Sequence, residues 1–457
     1  MKMIEIHNPA TGKIVGSVEN MDKNTVEKII EKAHTAFLTW KNTEPKTRAN
    51  LLRKWFDLII QNTDRLAEIL TTEQGKPLSE AKREIMYGAN FVEWFAEEAK
   101  RIYGDEIPAP IQNHHIVVIK QPVGVVGAIT PWNFPCAMIT RKCAPAIAAG
   151  CTVVLKPSSL TPLTAVELVR LAEKAGIPEG VINIVTGEAK LIGEIFTQSV
   201  LIRKISFTGS TEIGKLLMAQ AAPHVKKISL ELGGNAPFVI FADADLDLAV
   251  KGVIASKFRN MGQTCVCANR IYVQDTIYDV FVDKLTEAVK ALRVGNGLED
   301  VDQGPLINDA GLKKVEEHIH DAVKKGAKIM CGGKLHKLGK TYFEPTVLSE
   351  VTQEMLCAHE ETFGPVAPVF RFSDEHEVIE KANATQYGLA SYFYSQNIHR
   401  VWRVAEQLEY GMVGINSGMI STEFAPFGGV KESGIGREGS KYGIHEFIEI
   451  KTLYMGS

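Results

Sequence analysis

The residue best suited to covalent chemistry is Cys265, which lies in the segment 258–267 with the sequence FRNMGQTCVC. Apolar residues recur at helical spacing over 248–258, and Gly262 predicts the end of that helix. A strand is predicted at 270–273, so Cys265 falls on an irregular stretch between two regular elements. A thiol at such a junction can face a cleft, where its thiolate attacks an electrophile.

Two other interpretations of this cysteine compete with nucleophilic chemistry. A lone Cys is more often a small buried hydrophobe, but the flanking Gly, Gln and second Cys argue against a plain core position. Cys265 and Cys267 form a Cys-x-Cys pair that could bind a metal, yet the sequence has no second pair at zinc spacing, so no metal site is predicted. The seven cysteines show no short-spaced framework, which indicates free thiols in a reducing compartment.

Further segments carry polar residues at places where chemistry is possible. Glu231 interrupts an apolar strand that leads into two glycines, where a carboxylate is either solvated or held with a raised pKa. Asn133 lies between two prolines, and on local pattern alone it is a turn former. The spacing of 209–215 fits a triphosphate-binding loop, but Leu216 stands where Ser or Thr is required, so that function is rejected. The remaining interpretation is that a strand ends here and a helix begins. The free N–H groups at the helix start and the Ser210 hydroxyl suit a phosphate.

Length and composition restrict the class of protein. A chain of 457 residues is long enough for roughly two or three domains, and its 45% hydrophobic and 23% charged residues are typical of a globular protein. The net charge of −3 provides no basic field for nucleic acid or for an anionic membrane, so neither partner is expected. No apolar run follows the N-terminus or reaches the ~20 residues of a membrane span, and a cytoplasmic location is predicted.

The candidate residues depend on elements that the hydrophobic pattern predicts. Helical periodicity covers 24–41, 45–62 and most of 66–103. Strands then alternate with helices over 112–207, which predicts a parallel sheet with ligands at the carboxyl ends of its strands. A later strand is predicted at 342–347. Because the sequence has no Gly-x-Gly-x-x-Gly fingerprint, an ordinary Rossmann dehydrogenase is not supported by motif.

A series of short motifs, taken together, resembles the aldehyde dehydrogenase superfamily over nearly the whole chain. The motifs are PWNFP at 131–135, LKPS at 155–158, FTGS at 207–210, ELGG at 231–234, GQTC at 262–265, ETFGP at 361–365 and PFGG at 426–429. Each motif is modest evidence alone, but their common order is specific. The segments that most closely resemble succinate-semialdehyde dehydrogenases are MITRK at 138–142, KFRN at 257–260, CVC at 265–267 and GSKYG at 439–443.

The resemblance implies an α/β fold with a Rossmann-type cofactor domain, an α/β catalytic domain and a small bridging β-sheet. The implied boundaries are 1–105 and 124–231 for the cofactor domain, with 417–439 returning to it, 232–416 for the catalytic domain, and 106–123 with 440–457 for the bridging sheet. A protruding sheet with apolar edge strands needs a partner, so a homodimer or homotetramer is implied.

The resemblance also implies the reaction, which is oxidation of an aldehyde through a cysteine thiohemiacetal, hydride transfer to NADP or NAD, and hydrolysis of the thioester. Cys265 is the implied nucleophile, Asn133 with the Cys265 backbone N–H holds the oxyanion, and Glu231 activates water. Glu231 indicates release of a free acid, because relatives that pass the acyl group to coenzyme A generally lack this residue. The implied cofactor-binding residues are Trp132, Lys156, Ser159, Gly209, Ser210, Leu232, Glu361 and Phe363.

The implied substrate is succinate semialdehyde or a similar short aldehyde that bears a carboxylate. Arg141, Arg259 and Ser421 match positions at the mouth of the substrate pocket, and arginine can grip a carboxylate through two parallel hydrogen bonds. On local pattern alone, both arginines are surface or structural cations of helices. Glutarate semialdehyde is the alternative substrate. A non-catalytic structural relative is the other functional class, and the retention of nucleophile, amide and acid argues against it.

Two smaller expectations concern the cofactor and the second cysteine. Many NAD-preferring relatives have Glu three residues after the lysine that Lys156 matches, whereas this chain has Ser159, so NADP is slightly favoured over NAD. Cys267 lies two residues after the nucleophile. It is predicted either to form a protective, easily reduced disulfide with Cys265 after oxidation or to be a small buried hydrophobe.

Overall fold

The computed structural model describes residues 2–456, which begin with a two-stranded hairpin and four helices. These elements are β1 (Met3–His7), β2 (Ile14–Glu19), α1 (Lys23–Trp40), α2 (Pro45–Gln61), α3 (Thr63–Gln74) and α4 (Leu78–Glu98). Asp22 caps α1 by accepting a hydrogen bond from the Thr25 N–H at 2.8 Å. Gly75 ends α3 in the left-handed conformation, with a φ of 97°, and the break between α3 and α4 carries Lys76 into the interior.

The next part of the chain alternates strands with helices and builds a six-stranded sheet. Its elements are β5 (Val125–Ile129), α5 (Ala137–Ala149), β6 (Thr152–Lys156), α6 (Leu163–Lys174), β7 (Ile182–Ile184), α7 (Ala189–Gln198), β8 (Ile202–Thr208), α8 (Thr211–Ala221) and β9 (Lys227–Glu231), with β17 (Gly434–Ile435) added from the C-terminal part. The strand order is β17-β9-β8-β5-β6-β7, and every pair except β17 with β9 is parallel. Helices cover both faces, which explains why β5 and β6 are apolar runs without alternation.

A second, seven-stranded sheet holds the following region of the chain. Its elements are β10 (Ala236–Ile240), α9 (Leu246–Lys257), β11 (Ala268–Gln274), α10 (Tyr278–Lys290), α11 (Asp309–Lys324), β12 (Lys328–Cys331), β13 (Thr346–Val351), α12 (Leu356–His359), β14 (Val366–Phe372), α13 (Glu375–Asn383), β15 (Ala390–Tyr394), α14 (Ile398–Gln407) and β16 (Met412–Ile415). The order is β12-β13-β14-β11-β10-β15-β16, and only the β12–β13 pair is antiparallel.

A small antiparallel sheet lies apart from the two large ones. It consists of β3 (Asp105–Pro108), β4 (His114–Pro122) and β18 (Ile448–Gly456), and β18 follows the short helix α15 (Ser440–Gly443). The register runs from Ile448 opposite Pro122 to Gly456 opposite His114. Together the three sheets confirm the predicted α/β class with a small additional sheet, whereas the predicted domain boundaries stay a prediction.

One predicted element is wrong in its bounds. The strand predicted at 342–347 begins at Thr346 and runs to Val351. Pro345 has no N–H to give to a ladder, and Phe343 forms only an isolated bridge with Leu335. The apolar residues before Pro345 are therefore buried as packing groups without belonging to the sheet.

Parallel pairing brings several strand ends to one edge of the six-stranded sheet. The register aligns Ile129 of β5 with Lys156 of β6 and with Phe207 of β8, and Thr208 with Glu231 of β9. The loops that follow these strands therefore meet at that edge.

Candidate active site

A cavity of about 250 Å³ lies where these loops meet the segment that carries Cys265. Its lining residues are Pro131, Trp132, Asn133, Met138, Thr208, Gly209, Ser210, Leu232, Gly233, Cys265, Glu361 and Phe363. The structure thus brings together the predicted nucleophile, the predicted oxyanion amide and most of the predicted cofactor-binding residues. Glu231, Lys156, Ser159, Arg141, Arg259 and Ser421 do not line this cavity.

The turn that precedes Cys265 is strained and closely packed. Asn260 and Met261 both adopt left-handed conformations, with φ of 51° and 59°, and Gly262 follows with a φ of 72°. A Cβ at Gly262 would come within 2.2 Å of the Gly364 carbonyl oxygen, so only glycine fits there. This turn ends α9 and directs the half-buried Cys265 side chain into the cavity.

The thiol of Cys265 is protonated in the resting protein. Burial raises the pKa of Cys265 to about 12, and the nearby carboxylates of Glu361 and Glu231 add to that rise. The guanidinium groups of Arg141 and Arg259 oppose it. A thiolate therefore forms only when a base removes the proton.

Asn133 presents its side-chain amide to the same cavity. Its Nδ2 donates a hydrogen bond to the Gln263 carbonyl oxygen at 3.1 Å and carries a second N–H, and its Oδ1 has no partner in the described chain. An amide nitrogen next to a cysteine nucleophile is an uncharged donor for the oxyanion that forms on attack. A neutral donor is suited to this task because the oxyanion must later collapse.

A buried ion pair holds the loop that carries Asn133. The Lys76 Nζ lies 2.5 Å from the Glu84 carboxylate, donates to the Asn133 carbonyl oxygen at 2.7 Å and lies 3.8 Å above the Phe134 ring. Glu84 in turn accepts the Cys136 N–H at 2.9 Å, at the beginning of α5. The pair therefore ties the break between α3 and α4 to both ends of this loop.

Asn260 connects the loop that carries Asn133 to the turn that precedes Cys265. Its side-chain amide donates to the carbonyl oxygens of Asn133 and Gln263, at 3.1 and 3.2 Å, and accepts from Gln74 at 2.9 Å. Sequence reasoning missed Gln74, Lys76 and Asn260 as site residues. Lys76 was interpreted only as part of a helix break, because nothing local reveals a contact with a residue far along the chain.

We expect Lys76→Met to lower the free energy of unfolding by about 3–5 kcal/mol, because it leaves the Glu84 carboxylate buried without a counter-ion. Denaturant unfolding followed by circular dichroism measures the change. The matched control is Lys82→Met, since Lys82 pairs with Asp64 on the exposed side of α4 and should change stability by less than about 0.5 kcal/mol. Equal losses in both variants would contradict the importance of the buried pair.

Glu231 lies at the end of β9, beside the cavity and fully enclosed. Burial raises the pKa of Glu231 well above its ordinary value, and the neighbouring Glu438 carboxylate adds to the rise. Its Oε2 has no hydrogen-bond partner in the described chain. A carboxyl group with a raised pKa binds a proton more readily than an ordinary glutamate does, as a catalytic base requires.

Glu438 is the charged counterpart of Glu231. Burial would raise the pKa of Glu438, but the cations of Arg141 and Lys142 outweigh burial and hold it below its ordinary value. Both cations form ion pairs with Glu438, and the Lys142 Nζ also reaches the Ser206 hydroxyl at 3.4 Å. The two acids therefore differ in their affinity for a proton, since the pKa of Glu231 is raised and that of Glu438 is lowered.

The residues expected to bind a dinucleotide surround the other end of the cavity. Ser210 caps α8 by accepting the Ile213 N–H at 3.4 Å, which leaves its own O–H able to donate. Burial raises the pKa of Glu361 to about 8, and its Oε1 has no partner in the described chain. Trp132 and Phe363 meet edge to face, with ring centres 5.6 Å apart, and form an aromatic wall.

Lys156 and Ser159 lie at and just after the end of β6, the strand next to β5, and continue the expected cofactor-binding residues along the same sheet edge as a groove. Burial lowers the pKa of Lys156 to about 8, and its ammonium forms no ion pair within the described residues. The Ser159 hydroxyl donates to the Gly187 carbonyl oxygen at 3.4 Å. A helix start, a carboxylate with one partnerless oxygen and a lysine along one edge fit the phosphates and ribose diols of a nicotinamide dinucleotide.

The predicted carboxylate clamp of Arg141, Arg259 and Ser421 stays a prediction. Arg141 is 1% exposed, stacks on Phe427 at 4.3 Å and forms an ion pair with Glu438. Arg259 is half-buried, lies 5.2 Å from the centre of the Phe134 ring and has no ion-pair partner within residues 2–456. Ser421 is half-buried on the loop that follows β16.

Cys267 points away from the cavity wall. It is 1% exposed, and its Sγ lies 3.6 Å from the carbonyl oxygens of Lys257 and Ala268. This environment is that of a packed thiol in the resting protein. A disulfide with Cys265 would require movement of the loop and stays a prediction.

Two further expectations concern metals and membranes. Within residues 2–456, no group of three His, Cys, Asp or Glu side chains is arranged to hold a metal ion. Over the same residues, no helix has the length and hydropathy to span a bilayer.

Comparison with known proteins agrees with this fold, in which Cys265 lies in a cavity at the edge of the six-stranded sheet. The model of the aldehyde dehydrogenase family matches residues 1–453, and the chain belongs to this family. Glutarate-semialdehyde dehydrogenase of Pseudomonas aeruginosa is 62% identical, over 99% of this chain and 94% of the relative. Succinate-semialdehyde dehydrogenase [NADP(+)] of Escherichia coli is 57% identical over the same shares. The crystal structure of succinate-semialdehyde dehydrogenase from Burkholderia pseudomallei is 58% identical, with a TM-score of 0.99 over 100% of this chain and 95% of that one.

Proposed function

We propose that the protein oxidises a short aldehyde bearing a terminal carboxylate, with succinate semialdehyde as the first candidate, to the free dicarboxylic acid with NADP or NAD. The observation that carries this proposal is the pair of guanidinium groups, Arg141 and Arg259, that act electrostatically on the Cys265 thiol. They provide positive charge beside the nucleophile, where the far end of a short acid would lie. Relatives named for succinate and glutarate semialdehyde support the same substrate class.

The first step is attack of the Cys265 sulfur on the aldehyde carbon. Because burial raises the thiol pKa to about 12, the proton must pass to a base. Glu361 and Glu231 both act electrostatically on the thiol, and a deprotonated carboxylate of this pair can take the proton. The second side-chain N–H of Asn133 and the backbone N–H of Cys265 donate to the oxygen that becomes negative. The Lys76–Glu84 pair and Asn260 keep that amide in place.

The redox step relies on the groove beside the thiol. When bound, the nicotinamide supplies the hydride acceptor. Ser210 at the start of α8 suits the pyrophosphate, the partnerless Oε1 of Glu361 suits a ribose diol, and Lys156 with Ser159 suits the adenosine side. The Trp132 and Phe363 rings, which meet edge to face, suit the wall against which the nicotinamide would lie.

The last step is hydrolysis of the thioester on Cys265. In its deprotonated form Glu231 removes a proton from water while the water oxygen attacks the acyl carbon, and the Cys265 thiolate leaves when the tetrahedral intermediate collapses. The Glu438 carboxylate raises the pKa of Glu231 and so stabilises the protonated acid that this step forms. Release of a free acid follows from the presence of this base.

Glutarate semialdehyde is the second candidate, since two of the relatives at 60% identity or more are named for it. It has one more methylene, and a hydrophobic pocket separates such neighbours by only about 10–200-fold. Steady-state kinetics with succinate semialdehyde, glutarate semialdehyde, butanal and pentanal test the proposal. A higher kcat/KM for both semialdehydes than for the uncharged aldehydes supports it, and no preference would overturn it.

We expect Arg259→Ala to raise KM for succinate semialdehyde by about 10–100-fold while KM for butanal changes less than about threefold. The reason is that only the semialdehyde loses a charge-assisted hydrogen bond. The matched control is Arg203→Ala, an exposed arginine on β8, which should leave both values unchanged. Equal losses on both aldehydes in the Arg259 variant would contradict the clamp.

For the cofactor, we propose use of NADP at least as well as NAD, because Ser159 is small and neutral where a carboxylate would repel a 2′-phosphate. We expect Ser159→Glu to shift the ratio of kcat/KM for NADP over NAD towards NAD by roughly tenfold or more. Ser158→Glu is the matched control, since the neighbouring hydroxyl serves the local turn by accepting the Leu160 N–H. An unchanged ratio in the Ser159 variant would contradict the role of Ser159 in cofactor preference.

We also propose that the protein assembles as a homodimer or homotetramer through its small sheet. Ile450 and Tyr454 on the edge strand β18 are 70% and 52% exposed, and Ile107 on the opposite edge strand is 45% exposed. Exposed apolar residues on an edge strand favour pairing with another chain. Light scattering coupled to gel filtration measures the assembly directly.

A further inference from the structure

Three buried hydrogen-bonding groups behind the cavity wall have no partner within the described residues. They are the Tyr87 hydroxyl, the Nη2 of Arg141 and the Nε of Arg259. Buried polar groups in folded proteins are nearly always hydrogen-bonded, so three that are close together call for a common explanation. Each of the three can donate a hydrogen bond, and a shared acceptor would satisfy them together.

The position of Tyr87 is fixed by packing on two sides. Its ring lies edge to face with Phe91, one turn further along α4, at a centre distance of 4.9 Å. On the other side it packs against the cluster formed by Phe134, Ala137 and Met138. Because Met138 and the neighbour of Phe134, Asn133, line the Cys265 cavity, the phenol lies directly behind that cavity.

The electrostatic surroundings of Tyr87 favour an anion. Arg141 and Arg259 both act on its hydroxyl with their charge, and Arg141 is also close enough to donate a hydrogen bond to the phenol oxygen, which leaves the O–H itself without an acceptor. Glu438 balances Arg141, whereas Arg259 has no ion-pair partner within residues 2–456. Burial raises the pKa of Tyr87 above its ordinary value, so the phenol keeps its proton and remains a donor at neutral pH.

We propose that Tyr87 is a further substrate-binding residue, whose hydroxyl donates a hydrogen bond to the terminal carboxylate of the substrate beside Arg141 and Arg259. This inference rests on the proposed function, since it requires a substrate with a carboxylate. Two guanidinium groups supply charge, and the phenol adds a donor from α4 whose direction is set by packing. A neutral aldehyde end group cannot use this donor, so Tyr87 contributes to selection between acids and uncharged aldehydes.

The test is Tyr87→Phe, which removes one oxygen and keeps the ring that packs on Phe91 and Met138. We expect KM for succinate semialdehyde to rise roughly tenfold, with kcat and the kinetics of butanal changed less than about twofold. Butyrate has the carboxylate without the aldehyde, and its inhibition constant should rise by the same factor of about ten, independently of the chemical step. Tyr103→Phe, at an exposed position, is the matched control.

The outcomes separate this inference from the proposed function. If the parent protein prefers succinate semialdehyde to butanal and Tyr87→Phe leaves both KM and the butyrate inhibition constant unchanged, the role of Tyr87 is overturned while the substrate class stands. Equal losses on both aldehydes would show a packing role and also overturn it. If the parent shows no preference for the acid, both the substrate class and the role of Tyr87 fail.

Discussion

Replacement of Cys265 by serine is expected to lower kcat by at least about a thousandfold, because the hydroxyl is a far weaker nucleophile than the thiolate and no other residue can form the covalent adduct. Cys265 alone among the cysteines lines the cavity with Asn133 and Glu361. Aldehyde-dependent formation of reduced nicotinamide, followed by absorbance, measures the loss.

Two controls separate loss of chemistry from loss of structure. Cys267→Ala removes a buried thiol two residues away and should keep kcat within a few-fold of the parent, since its sulfur contacts only backbone carbonyls. Cofactor binding to the Cys265→Ser protein, followed by fluorescence quenching, should be retained. Substantial turnover in the serine variant would mean that another group forms the covalent bond.

Replacement of Glu231 by glutamine is the second change with a large expected effect. The amide has the shape of the acid but cannot take a proton, so thioester hydrolysis should slow by about 10²–10⁴-fold. If Glu231 acts mainly in hydrolysis, the first turnover remains and the acyl group stays on Cys265. Stopped-flow measurement should then show a burst of reduced nicotinamide equal to the enzyme concentration, followed by a very slow phase.

The pH dependence of kcat tests the role of Glu231 independently. A base must be deprotonated to act, and burial with the nearby Glu438 raises the pKa of Glu231 well above its ordinary value. In the parent, kcat should therefore rise with pH through neutral and alkaline values, and this rise should be absent in Glu231→Gln. A parent profile that is flat down to pH 5 would contradict a raised pKa for the base.

The raised pKa of Glu231 also makes the free energy of unfolding depend on pH. An acid whose pKa is raised by folding binds its proton more tightly in the folded state, so its contribution to folding is lost as pH increases. Glu231→Gln removes that dependence. Its free energy of unfolding should therefore match or exceed that of the parent at alkaline pH, in contrast to the loss expected for Lys76→Met.

Much of the site could be predicted because its parts are local in sequence. The pattern up to Gly262 predicts a helix that stops before Cys265, and the structure ends α9 at Lys257 with a tight turn over Arg259–Gly262. The parallel sheet followed from buried apolar runs that alternate with helices. Asn133 is different, since its local pattern indicated a turn and only the family resemblance gave it a role.

The remainder could not be predicted because it depends on contacts between distant segments. Lys76 donates to the Asn133 carbonyl oxygen, and Arg141 pairs with Glu438. The two residues of each contact are far apart in the sequence, so no local pattern predicts it. The expectation that Arg141 lies at the mouth of the substrate pocket did not include this buried ion pair. Tyr87 has an unremarkable helical position in the sequence, and only its partnerless hydroxyl next to two arginines indicates a function.

The central claim is that Cys265 carries the acyl group during turnover and that Glu231 releases it. The most direct measurement is rapid quenching of Glu231→Gln with succinate semialdehyde and cofactor, followed by mass spectrometry of the intact protein and of its proteolytic peptides. We predict one succinyl group per chain, on the peptide that contains Cys265, and none in the double variant with Cys265→Ser. An unmodified Cys265 during the burst, or a succinyl group on another residue, would contradict the mechanism.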